Sequence, residues 1–153
     1  MNLAKQTMQV AALVNGTVID HIPCDKMAEV ISLLHLQEIP SAVTYGQNLE
    51  SKKMGKKGLI KISDRFLTGE EVDQLSVIAP NITLSIIKDY EVVEKREVSL
   101  PTMLKGIVKC NNPKCITNNE PMQTVFYLVH GEKPKLRCHY CEKEQSLKDI
   151  KLI

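Results

Sequence analysis

The sequence predicts an α+β protein: a ferredoxin-like α/β sandwich, one sheet with two helices, over residues 1–99, and a small all-β zinc-binding domain over residues 100–153. Three observations lead there. Apolar residues in the first hundred positions follow the order strand, helix, strand, strand, helix, strand, with one extra strand at an end. Four of the five cysteines fall after residue 100, in two short-range pairs. The charge balance also changes along the chain. Residues 1–101 hold 11 Lys and Arg against 13 Asp and Glu, whereas residues 102–153 hold 9 against 5.

The elements follow in order. Alternation in Q-V-A-A-L-V, then Asn15-Gly16, then T-V-I-D, predicts a hairpin, because Asn-Gly tolerates the positive φ of a tight turn. After Pro23, Met27, Val30, Ile31 and Leu34 fall on one helical face, and the helix should end before Pro40. Residues 42–46 and 59–62 are strand-like, separated by an expected loop rich in Gly and Lys. Thr68 and Glu71 form a capping box for a second helix, which buries Val72, Leu75 and Ile78 or Ala79 and stops at Pro80. Residues 82–87 and 90–93 are strands split at Lys88-Asp89. A sheet covered on one face buries both apolar helix stripes. Ser99-Leu100-Pro101 is the expected linker. Beyond it are short strands around Ile107-Val108, Thr124 to Val129, Leu136 and Ile150 to Ile153, too few residues to rely on an apolar core alone.

Hydrophobic content of 43% and charged content of 25% are those of a globular protein rather than a disordered one. No run approaches the roughly 18 apolar residues of a membrane span, and no secretory h-region opens the chain. A cytoplasmic location with no membrane partner is expected, and disulfides are disfavoured there.

Cys110, Cys115, Cys138 and Cys141 spell C-x4-C-x22-C-x2-C. Two facing turns of this kind deliver four sulfurs at about 2.3 Å to tetrahedral Zn²⁺. Four thiolates leave no open position to activate water, so the ion is expected to be structural, one per chain. Its binding would supply folding free energy on the order of 10 kcal/mol. The basic excess of the tail then partly compensates the thiolates. A redox C-x-x-C is the functional rival, but that motif should open a helix in a βαβ unit, and none follows here. His139 sits between two ligands and should point away from the metal. Cys24 stands apart and should pack as a small apolar side chain.

Lys52, Lys53, Lys56, Lys57 and Lys61 crowd one segment. A charge run is usually a solvated face, yet Lys61 alternates with Ile60 and Ile62, which fixes the side of the sheet it occupies. With Lys95, Arg96, Asp20 and His21 at other strand ends, such a cluster suits a polyphosphate. No P-loop or Rossmann pattern is present. No Ser/His/Asp or paired-carboxylate arrangement stands out for catalysis.

The segments V-I-D-H-I-P (18–23), G-Q-N-L (46–49), M-G-K-K-G-L-I-K-I (54–62), V-D-Q-L (72–75), Y-E-V-V (90–93), S-L-P (99–101) and the terminal C-H-Y-C-E-K-E occur in one order along the chain. Together they resemble the aspartate carbamoyltransferase regulatory chain family. The resemblance implies a non-catalytic subunit in pyrimidine biosynthesis that binds CTP, ATP or UTP in its first domain and docks on catalytic trimers through its zinc domain. It implies a homodimer formed by sheet extension, with strand 42–46 as the edge. Asp20 and Lys61 would contact ribose and base, and His21 and Lys95 the phosphates. Lys57 matches a lysine near the site, and Ser85 stands where an asparagine is expected. Val10, Ala12, Leu13, Ile87, Tyr90 and Val92 would line the base pocket. Asn112, Tyr140, Glu142 and Lys143 would face the catalytic chain. Ala11, Glu97 and Lys114 depart from the family pattern, which bears on effector choice and partner contact. The alternative is a zinc-ribbon nucleic-acid binder, but aromatics total only 4%, and a stacking platform wants more beside its basic residues. No nucleic-acid partner is expected.

Overall fold

A computed structural model describes residues 13–153. The N-terminal half is a five-stranded antiparallel sheet built from β1 (Gly16–Ile22), β2 (Val43–Ser51), β3 (Gly55–Ser63), β4 (Thr83–Lys88) and β5 (Glu91–Glu97). The strand order is β2-β3-β1-β4-β5. Helices α1 (Met27–Leu33) and α2 (Gly69–Ile78) follow β1 and β3. That is the ferredoxin-like plan with β5 as the extra strand. The first arm of the expected Asn15-Gly16 hairpin lies almost wholly outside the described residues. Gly16 itself is dictated by crowding: at φ 144°, a Cβ there would lie 2.0 Å from the Ile62 carbonyl oxygen.

Both helices pack on the same face. Ile19, Ile22, Ile60, Ile62 and Leu84 from the sheet meet Met27 and Val30 of α1, Val72 and Leu75 of α2, and the residues closing each helix, Leu34 and Ala79, in one core. α1 stops well before Pro40. His35 takes the left-handed conformation at φ 53°, while its amide bonds Ser32 O and the Leu36 amide bonds Ile31 O, a Schellman closure. The capping box of α2 forms as read: Thr68 Oγ1 accepts from the Glu71 amide at 3.1 Å, and Glu71 Oε1 accepts from the Thr68 amide at 3.0 Å. Arg65 secures both helices by donating to Leu34 O and pairing with Glu71.

The Gly- and Lys-rich segment expected as a loop is instead the outer part of a long hairpin, turning at residues 52–54. It showed no strand pattern because residues 52–56 are exposed, so no apolar side was needed. A register shift between Gly46 and Leu49, with Asn48 at φ 60°, kinks it. The split expected at Lys88-Asp89 falls one residue later. Asp89 (φ 52°) and Tyr90 (φ 69°) form the two-residue turn, both with the positive φ of a type I′ hairpin.

The C-terminal part is a small all-β domain. A four-stranded sheet ordered β10-β9-β8-β6 comprises β6 (Met103–Lys105), β8 (Val125–Val129), β9 (Lys135–Cys138) and β10 (Glu144–Ser146). A ribbon pairs β7 (Val108–Lys109) with β11 (Lys151–Leu152). β6 and β10 went unanticipated, since three residues are too few to display alternation. Val77 of α2 packs into the second core, joining the two parts through an apolar contact. Among the described residues no helix is long and apolar enough to cross a membrane.

Candidate functional site

The four late cysteines converge. Their sulfurs all lie within 4.8 Å of one another, with Cys110 to Cys141 and Cys115 to Cys138 both at 3.7 Å. A tetrahedron with sulfur at about 2.3 Å from its centre has edges of about 3.8 Å, so the set fits a zinc-sized ion. Cys110, Cys115 and Cys138 are buried and Cys141 half-buried. Burial is the largest influence raising the Cys110 thiol to about 12, and it raises Cys138 as well. At Cys141 burial opposes the thiolate, yet hydrogen bonds from the Lys143 backbone, the Asn112 side chain and the neighbouring sulfurs outweigh it, bringing the thiol to about 7. A divalent cation at the centre reverses the cost of burying these charges. All four donors are committed to one closed cluster, so the arrangement suits structure rather than catalysis.

The second knuckle closes through backbone alone. The Glu142 amide bonds Cys138 O at 3.0 Å, and the Cys138 amide bonds Lys143 O at 3.0 Å. Glu142 adopts φ 62° at this bend. Tyr140, Glu142 and Lys143 are exposed on its outer side, while Asn112 is half-buried and spends Oδ1 on the Lys114 amide. His139 is exposed, as expected, and bonds Tyr127 Oη through Nδ1 at 3.1 Å. Cys24 is half-buried beside α1, away from the cluster.

Lys57, Lys61 and Lys95 come together on the sheet face opposite the helices. Antiparallel partners share a face, and the register Lys61↔Val18, Val18↔Ser85, Ser85↔Lys95 sets these four side chains in one row across β3, β1, β4 and β5. A second row runs Asp20↔Thr83↔Glu97. A bulge in β1 at Asp20-His21, with His21 at φ 58°, directs the imidazole to the same strand: His21 Nδ1 lies 3.1 Å from Thr83 Oγ1. Asp20 Oδ1 accepts from the His21 amide at 2.6 Å and pairs with Lys57 Nζ at 2.9 Å. Lys53, at the hairpin tip, reaches Glu97 on β5 at 3.8 Å, drawing that tip across the face. Burial lowers the Lys61 ammonium below its ordinary value, a cost that a bound anion would relieve.

Of the predicted nucleotide residues, Asp20, His21, Lys57, Lys61, Ser85 and Lys95 are thus brought together. Ile87 is buried at the end of the same face, next to Val92 by register. Tyr90 and Val92 stand at the β4–β5 turn, 67% and 58% exposed, so the described residues do not enclose them. Leu13 is half-buried, and the adjoining Val14 accepts from the Tyr90 amide at 2.9 Å. Val10 and Ala12 lie outside the described residues. Sequence reasoning missed Val18 and Thr83. Strand alternation through 82–87 carried the signal for Thr83, because it puts Thr83, Ser85 and Ile87 on one side.

Two family models match this chain. The allosteric domain of the aspartate carbamoyltransferase regulatory chain matches residues 8–99, and the metal binding domain of the same regulatory chain matches residues 102–151. The chain belongs to the aspartate carbamoyltransferase regulatory chain family. The regulatory chain of Phocaeicola vulgatus is 63% identical over 149 residues, covering 97% of this chain and 96% of that one. That of Bacteroides fragilis is 58% identical over 153 residues, the full length of both. That of Pyrococcus abyssi, far more distant, is still 46% identical over 145 residues, 94% of this chain and 95% of its own. As an aspartate carbamoyltransferase regulatory chain it is a non-catalytic subunit, tied to allosteric control of pyrimidine biosynthesis and to association with catalytic chains. The cysteine cluster lies inside the matched metal-binding domain.

Proposed function

We propose that this regulatory chain senses cytoplasmic nucleotides by binding CTP, ATP or UTP on the helix-free face of its sheet, and passes the result to aspartate carbamoyltransferase catalytic trimers through a zinc-organised tail. The boundary between the two parts lies at residues 99–100. The observation that carries the reading is the row Lys61–Val18–Ser85–Lys95 beside Asp20 and His21. The Lys95 ammonium at one end, with His21, suits the phosphates, while Lys61 at the other end and the Asp20 carboxylate suit base and ribose hydroxyls. Asp20 is held by Lys57, so a ribose would exchange one partner for another rather than meet an uncompensated charge. Ile87, Tyr90 and Val92, with Val10, Ala12 and Leu13, supply the apolar end for the base.

The two sheet edges support dimerisation through β2. One of its nine residues, Glu50, is charged, whereas β5 carries Glu91, Glu94, Lys95, Arg96 and Glu97 among seven. Charged edges resist pairing, and an uncharged one invites a second copy. Zinc is the ion of choice for the four-thiolate set, which orients Asn112, Tyr140, Glu142 and Lys143 toward the catalytic chain.

Calorimetry on the full chain tests the nucleotide site. Lys61→Ala and Lys95→Ala should each weaken CTP or ATP binding at least tenfold, about 1.4 kcal/mol. Unchanged affinity in both variants would sink the assignment. Aspartate saturation of a catalytic trimer, with and without this chain and CTP, tests the coupling itself.

A further inference from the structure

The two halves of the metal centre are closed by different means. The Cys138–Cys141 turn uses its own backbone, as described above. The Cys110–Cys115 loop is two residues wider and contains Pro113, which has no N–H to contribute. Its single backbone closure is the Cys115 amide to Asn112 O, at 3.0 Å. The loop carbonyls are gathered instead by two side chains at the end of the 3₁₀ turn that follows (Ile116–Asn118), those of Asn118 and of Asn119 directly after it. Asn118 Nδ2 donates to Cys110 O at 2.9 Å and to Asn112 O at 2.8 Å. Asn119 Nδ2 donates to Cys115 O at 2.9 Å and to Pro113 O at 3.2 Å. Four carbonyls of one six-residue loop are therefore turned toward two carboxamides. The N–H groups of two of these peptides are likewise committed, that of Asn111 to Gln145 Oε1 and that of Lys114 to Asn112 Oδ1, both at 3.1 Å, so the loop is held at its carbonyls and its amides together. Carbonyl dipoles facing four thiolates would repel them.

We propose that Asn118 and Asn119 are positioning residues of the metal centre, whose carboxamides hold the wide Cys110–Cys115 loop closed and thereby set how slowly the ion is released. This rests on the reading of the four cysteines as a zinc site. Groups just outside the ligands commonly change metal affinity 10- to 100-fold without touching the ion.

The test uses the full-length chain loaded with zinc, following transfer of the ion to a chromogenic chelator. Asn118→Asp keeps the shape and removes the donor, and Asn118→Ala/Asn119→Ala removes both amides. Each should release zinc at least tenfold faster than the parent chain while still binding one ion. Cobalt-loaded samples separate positioning from general stability. Thiolate-to-cobalt and d–d bands should shift in both variants, whereas Asn111→Ala, whose amide bonds Asp149 O outside the loop, should leave them in place. Release rates and cobalt spectra identical to the parent overturn the proposal. A parent chain that binds no metal removes the zinc reading instead, so the two failures are distinguishable.

Discussion

The two cores hold their sheets together by different physics. Among the described residues, the first gathers fourteen buried apolar residues from three strands, two helices and their connections. The second counts nine, of which Cys110, Cys115 and Cys138 are sulfur donors and Val77 is lent by α2. That leaves Leu104, Ile107, Val108, Phe126 and Leu136 as the tail's own buried hydrocarbon. Five such side chains are few for a unit of some fifty residues, a size at which an apolar core alone is marginal. The first core stands on area removed from water, and the second needs cross-linking. A unit that owes its folding to one ion is also one whose exposed residues are held in fixed geometry by that ion, which suits a docking surface.

Removing one sulfur should therefore be the most damaging single change. Cys138→Ala is expected to cost on the order of 10 kcal/mol of metal-coupled folding free energy. Limited proteolysis should then digest the chain beyond about residue 102 while the earlier part resists, and association with catalytic chains should disappear. A protease-resistant tail in that variant would mean the apolar core suffices after all. The reciprocal change is Leu34→Ala, at a fully buried position under α1. It should lower stability by about 2–5 kcal/mol in denaturant titration, with metal content unchanged. Loss of metal from Leu34→Ala would show that Val77 couples the two cores more tightly than their compositions suggest.

The same division explains what could be read in advance. α2 was legible to the residue because Thr68 and Glu71 mark its start chemically, and α1 and the inner strands were legible because they bury one side. The four cysteines were legible from spacing alone, since tetrahedral ligation requires it. What escaped was structure without a buried face: the outer β2–β3 hairpin, three-residue β6 and β10, and the Asn118 and Asn119 clamps. A bulge such as Asp20-His21 also leaves no periodic trace. Its effect on Thr83 appears only when β1 and β4 are laid side by side. Tertiary pairing, rather than local preference, decides these features.

Backbone strain offers the finest discrimination between the two parts. Asn48, Asp64, Asn81 and Asp89 adopt positive φ at bends, as Asn and Asp readily do, and His21 and His35 belong to the next most tolerant type. Tyr90 and Glu142 have no such disposition, yet they sit at φ 69° and 62°. Each stands at a position proposed above to meet a ligand or a partner, and retained strain of about 1–3 kcal/mol is characteristic of such positions. Glycine at residue 142 would adopt this bend without a Cβ clash. Glu142→Gly is therefore expected to stabilise the Cys138–Cys141 turn by about 1 kcal/mol, slowing metal release severalfold. The same variant should bind the catalytic chain less tightly, because the carboxylate is lost. If both metal retention and partner binding improve together, Glu142 is held for neither purpose and the turn is simply suboptimal. If neither changes, the bend is relaxed with glutamate in place, and the docking surface must be sought at Tyr140 and Lys143.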